Sequence, residues 1–129
     1  EDMKRFATAL VLLLLTLTLS IGAQLIFSKK TDELITGLEA LLCAVDAGEG
    51  EERALENVEK AWLGSKKILH ILLVHRSMDE IEININSLGE YLGAGDREAL
   101  RQACTEALMQ LENLRDAGRI TIENILKIA

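Results

Sequence analysis

Apolar residues recur every three or four positions along most of this chain, the spacing of one face of an α-helix. The longest such series is Leu55, Val58, Trp62, Ser65, Leu69, Leu72, Met78, Ile81, Ile85, Leu88 and Leu92. It predicts one central helix from about Glu51 to Leu92 that its neighbours must cover. One passage inside it, Ile81-Glu82-Ile83-Asn84-Ile85-Asn86, alternates with period two and reads locally as a strand. No other stretch alternates to pair with it, and the helical stripe passes through Ile81 and Ile85 in register. A helix is therefore expected there.

The flanking segments repeat the rhythm. Leu34, Leu38, Leu41 and Val45, widened by Ile35 and Leu42, predict a helix that Ala47-Gly48-Glu49-Gly50 ends, two glycines permitting the left-handed turn. Ser28 or Thr31 can cap the start of that helix, with Asp32 and Glu33 in its first turn. A helix continuing from the preceding apolar block fits equally. After Gly93-Ala94-Gly95, Asp96 is placed to cap a helix whose buried face is Leu100, Ala103, Cys104, Ala107, Leu111 and Leu114. Ala117-Gly118 is expected to stop it. Thr121 then caps a short last helix carrying Ile122, Ile125 and Leu126, with Asn124 among them.

Residues 6–27, from Phe6 to Phe27, contain no charge and lie between Lys4-Arg5 and Lys29-Lys30. About 20 apolar residues suffice to cross the hydrocarbon of a bilayer as a helix. Met3-Lys4-Arg5 and the Leu-rich block also resemble a secretory signal, with a small-residue exit near Ser20-Ile21-Gly22-Ala23. The apolar residues beyond that exit, Leu25 to Phe27, favour an uncleaved signal-anchor over a secreted chain. Basic residues flank both ends equally, and the short N-terminal tail suggests that it stays inside, with the remainder outside the cytoplasm.

The expected fold is thus all-α: an N-terminal transmembrane or signal-anchor helix, then an antiparallel three-helix bundle with a short C-terminal helix. Residues 3–27 form the membrane segment and residues 28–129 an acidic helical domain. One length conflicts with this scheme. At 1.5 Å per residue a central helix of residues 51–92 would be roughly 63 Å long, against roughly 27 Å for residues 29–46. A break near Gly64 or His75–Met78, a tilted bundle or loss of the anchor would each resolve it.

Composition narrows the function. The 129 residues are 49% hydrophobic with 3% aromatic and no Pro, as long helices require. Residues 28–129 hold 12 Lys and Arg against 19 Asp and Glu, which accounts for the whole net charge of −7. A domain of that sign without a basic stripe does not suit nucleic acid. Cys43 and Cys104 have no zinc-type spacing; in an exported chain they could form a disulfide, and otherwise they read as small buried residues.

His75, Asp79 and Glu82 stand at i, i+4 and i+7, so the three side chains share one helix face. An imidazole with two carboxylates can ligate a divalent metal. The same set can equally be structural, a hydrogen-bonded group facing the last helix with Asn124 as a partner. The structural reading is favoured because the set contains a single His. Trp62 reads as a core plug, Lys66-Lys67 as a solvated face, and Asn84 and Asn86 as wet positions. With no nucleophile elbow and no Gly-rich phosphate loop, neither an enzyme nor a cofactor is expected.

Trp62, the His75-x3-Asp79-x-Ile81-Glu82 series and the ending Ile122-x-Asn124-Ile125-Leu126 resemble an uncharacterised family of small Gram-positive bacterial proteins, known only as a domain of unknown function. The resemblance covers most of residues 3–128 and implies an N-terminal membrane segment with a helical remainder. Where that family reads His-x-Glu-Ile-Asp, this chain has Ser77-Met78 before Asp79, one carboxylate fewer. The function expected from all of this is a non-enzymatic, membrane-anchored interaction or structural module, whose partners are the membrane through residues 6–27 and another protein or a second copy. A metal- or small-ligand-binding sensor using His75, Asp79 and Glu82 is the alternative.

Overall fold

The computed structural model describes residues 1–72 and 75–128, apart from the side chains of residues 72, 75–77, 118–122 and 125. Four helices follow one another: α1 (Asp2–Ala47), α2 (Glu51–Leu72), α3 (His75–Ala94) and α4 (Arg97–Ile128). Among the described residues there is no strand, and Ile81 and Ile85 are buried while Ile83 between them is exposed. That pattern is helical and settles the alternating passage.

The expected fold class holds: a long apolar N-terminal helix followed by helices packed against each other. The division into helices differs at two places. The predicted central helix is two helices that run antiparallel. Lys66 of α2 bonds Glu82 of α3, and Glu59 lies against Gly89, pairs separated by seven residues on both helices. This removes the length conflict, because α2 and α3 each span roughly 30–33 Å. The predicted short last helix is the end of α4, which continues through Gly118. A glycine inside a helix costs only about 1 kcal/mol, less than a docked helix gains by packing.

Three ends of helices are readable as chemistry. Gly48 takes φ 74°, and its N–H bonds Ala44 and Val45 carbonyls at 2.9 and 3.3 Å, closing α1. Gly95, at φ 71°, closes α3 in the same way. Asp96 Oδ1 then accepts the Ala99 N–H at 3.1 Å, the cap expected for α4.

α1 packs on α2 and α4, and α3 packs on α4 and α2, whereas the diagonal pairs do not meet among the described residues. The ion pairs Asp46–Arg101 and Asp32–Arg115 make α4 antiparallel to α1. The result is an up-down-up-down four-helix bundle. Its core is the set of stripes already named: Leu34, Leu38 and Leu41; Val58 and Leu69; Met78, Ile81, Ile85 and Leu88; Leu100, Ala107 and Leu111. Trp62 is a core plug, 4% exposed. Two hydroxyls sit among them, and each is satisfied by its own helix. Thr31 Oγ1 donates to the Phe27 carbonyl and Ser65 Oγ to that of Ala61, both at 2.7 Å. Thr31 therefore caps nothing, and α1 takes the continuous alternative, running from the apolar block into the bundle without interruption.

Candidate functional site

Met78, Ile81 and Ile85 turn one face of α3 into the core and carry polar neighbours to its two edges. On one edge Glu82, half-buried, accepts a hydrogen bond from Lys66 of α2 at 2.5 Å. On the other, Asn84 Nδ2 donates to Gln110 Oε1 of α4 at 2.8 Å. Asp79 is exposed one turn before Glu82, and Asn124 is exposed near the end of α4. The side chain of His75 lies outside the described residues. The four residues singled out from sequence are thus not seen as one assembled group: Glu82 is engaged by α2, and Asn84 supplies the link to α4. Among the described residues no three His, Cys, Asp or Glu are grouped to hold a metal ion.

Lys66 was read from sequence only as part of a solvated face, whereas it is half-buried and bonded to Glu82, and Gln110, Arg101 and Arg115 were not singled out at all. Their types are commonplace on helix surfaces, and only the register between helices shows which carboxylate or amide each one meets. Arg115 Nη1 donates to Asp32 Oδ1 at 3.1 Å, and that bond pushes the guanidinium pKa up. Arg101 pairs with Asp46 one level higher. Such exposed pairs set register more than they add stability.

The two cysteines are free and face different surroundings. Cys104 is buried, donates its thiol to the Leu38 carbonyl at 3.2 Å, and burial pushes its pKa up to about 11. Cys43 is exposed on α1. The disulfide considered from sequence is not formed. Position 43 follows Leu38 by five residues, which turns its side chain about 140° away from the face that Cys104 meets.

At the end where α1 turns into α2, Gly48 to Arg53, Glu56, Asn57, Lys60, Leu92 and Arg97 line an open cleft of about 890 Å³. Its lining holds four carboxylates, Glu49, Glu51, Glu52 and Glu56, against three cations, of which Arg97 reaches Glu51 at 3.4 Å and Lys60 reaches Glu56 at 3.2 Å. A balance this close to even gives little selection for an ion.

The longest run of exposed apolar residues among the described ones is elsewhere. Phe6, Leu10 to Leu15, Leu19, Leu25 and Ile26 of α1 are all exposed, although the segment has a mean hydropathy of 2.3. This is a helix long and apolar enough to cross a membrane, and only 6% of that window is buried by the rest of the chain. The core helix of a soluble bundle would be covered by its neighbours. Beyond Phe27 the same helix is the amphipathic wall of the bundle.

Searches of curated proteins and of solved structures returned no match. Residues 24–125 match the family described as a domain of unknown function (DUF4363), a span that begins inside α1 and takes in nearly all of the bundle. The chain belongs to that family.

Proposed function

We propose that this chain is a non-enzymatic, membrane-anchored helical module that presents its acidic four-helix bundle outside the cytoplasm to another protein or to a second copy of itself. One observation carries the reading: α1 is unbroken from an exposed apolar run into the bundle core. Anchor and bundle share one helix, an arrangement suited to holding a module at a fixed stance on a bilayer. The basic pair before the run is matched by the pair after it, so basic charge does not hold the bundle inside. The family resemblance adds a bacterial cell membrane as the setting. The sensor reading is less well supported, because Glu82 is already engaged by Lys66 and Asp79 stands in solvent.

Membrane preparations from cells making the full chain test the proposal. The chain should resist carbonate extraction and keep its N-terminal segment on sequencing. Protease added to intact spheroplasts should digest the bundle. Release by carbonate, a mature N-terminus after Ala23, or protection of the bundle until the membrane is opened would each overturn the corresponding part. Cross-linking in the native membrane should then capture either a partner or a dimer.

A further inference from the structure

The end of the bundle next to the apolar run of α1 carries exposed apolar side chains among the described residues. Ile71 at the end of α2 is 82% exposed, and Leu126 and Ile128 at the end of α4 are 61% and 89% exposed. Their heights follow from the register of the helices. Asp46–Arg101 and Asp32–Arg115 are spaced by 14 residues on both α1 and α4. Continuing α4 downward from Arg115 brings Glu123 level with Gln24, Leu126 with Ile21 and Ile128 with Leu19. On the other side Gly37 abuts Val58, so thirteen residues further along α2 Ile71 is level with Gln24. All three exposed residues therefore lie at the height of the apolar run of α1, where Leu25 and Ile26 are exposed as well.

We propose that the base of the bundle is a second membrane contact: Ile71 and the last turn of α4, with Leu126 and Ile128, insert into the interfacial layer of the bilayer that α1 spans. This rests on reading α1 as a membrane helix. Twenty residues counted from Phe6 place the hydrocarbon boundary near Leu25, by the length a span requires. Ile71 then sits at the boundary, and Leu126 and Ile128 reach roughly 6 and 9 Å past it at 1.5 Å per residue. Interfacial helices bury their apolar faces to about 5–10 Å, the same depth. The two charged residues of the end of α4 are ordered to match. Glu123 is a turn nearer to water, while Lys127 has a stem long enough to return its ammonium to the headgroups. Leu63, Ile83 and Met109 are exposed too, but they sit singly on the sides of the bundle above this level, which is ordinary for a soluble surface.

Depth measurements on the full chain test the contact. In a Cys43→Ser background, with Cys104 left buried, single cysteines are placed as Ile71→Cys, Leu126→Cys and, as a control, Leu63→Cys. Each is labelled with an environment-sensitive dye and reconstituted into phosphatidylcholine–phosphatidylglycerol vesicles. The chain should float with the vesicles. Labels at 71 and 126 should be quenched by lipids carrying a nitroxide near the headgroup and shielded several-fold from aqueous iodide relative to the label at 63. If the chain floats but all three labels respond to iodide alike, the base contact is wrong and the anchor stands. Labels shielded from iodide yet untouched by the lipid nitroxide would overturn it in favour of pairing between copies. A chain that does not float would overturn both readings.

Discussion

Lys66 Nζ lies 2.5 Å from Glu82 Oε1, an ion pair that joins the two helices that the sequence pattern runs together. Both side chains are partly exposed, at 38% and 26%, so solvent screens the attraction. A double-mutant cycle of Lys66→Ala and Glu82→Ala, read by urea unfolding, should give a coupling of about 0.5–1 kcal/mol that shrinks in high salt. A coupling near zero would mean that the pair contributes nothing to holding the hairpin.

The same pair makes a prediction about metal. With Glu82 engaged, a chelator should leave the melting temperature unchanged, and added zinc or manganese should not raise it. A fall of several degrees on chelation, reversed by metal, would instead bring His75, Asp79 and Glu82 together as ligands.

The passage Ile81 to Ile85 separates helix from strand by substitution. Ile85→Ala removes a fully buried side chain and should cost about 2–5 kcal/mol, whereas Ile83→Ala, at an exposed position, should stay within about 0.5 kcal/mol. A strand would bury 81, 83 and 85 alike. Equal losses at 83 and 85 would contradict the helix.

Glycines differ in what they permit. Gly48→Ala forces a side chain into φ 74° and sets its Cβ 3.3 Å from the Arg97 guanidinium, so a loss of about 1–2 kcal/mol is expected in thermal unfolding. Gly64→Ala, inside α2 with nothing within 4 Å of the new methyl, should gain about 0.5–1 kcal/mol.

Cys104 predicts a pH effect with a definite sign. Its thiol is raised from 9.0 to about 11 by burial, so the unfolded chain ionises first. The stability this contributes is intact below pH 9 and is lost as pH rises towards 11, by up to about 2–3 kcal/mol. The slope should flatten in Cys104→Ala. Maleimide should modify Cys43 in the folded chain and leave Cys104 untouched until unfolding.

Most of the core was readable in advance, because burial follows the three-and-four spacing whatever the helices do next. Leu38, Trp62, Ile85 and Leu111 are buried where the stripes put them. The α2–α3 reversal was readable only from length, which called for a break near Gly64 or His75–Met78 among other solutions; α3 begins at His75. Leu72-Leu73-Val74-His75 contains neither Gly nor Pro, and the stripe resumes in phase at Met78, so periodicity records no turn. Gly118 misled in the opposite direction, since α4 tolerates it. For the polar groups the sequence gives the residues but not their partners. Glu82 and Asn84 are two positions apart, about 200° around the helix, so they serve opposite neighbours, and which ones is a matter of tertiary register.

On the anchoring proposed above, the unbroken α1 makes the protein a lever. From Leu19 to Asp46 the helix runs roughly 40 Å, so leaning the span by about 20° would sweep the Asp46–Arg101 end of the bundle sideways by roughly 14 Å. A transmembrane helix leans according to how its apolar length fits the local bilayer. With no joint at the surface to absorb that lean, a change of a few ångströms in membrane thickness becomes a much larger displacement at the tip, and any second foothold at the base of the bundle would fix the angle at which the lever rests.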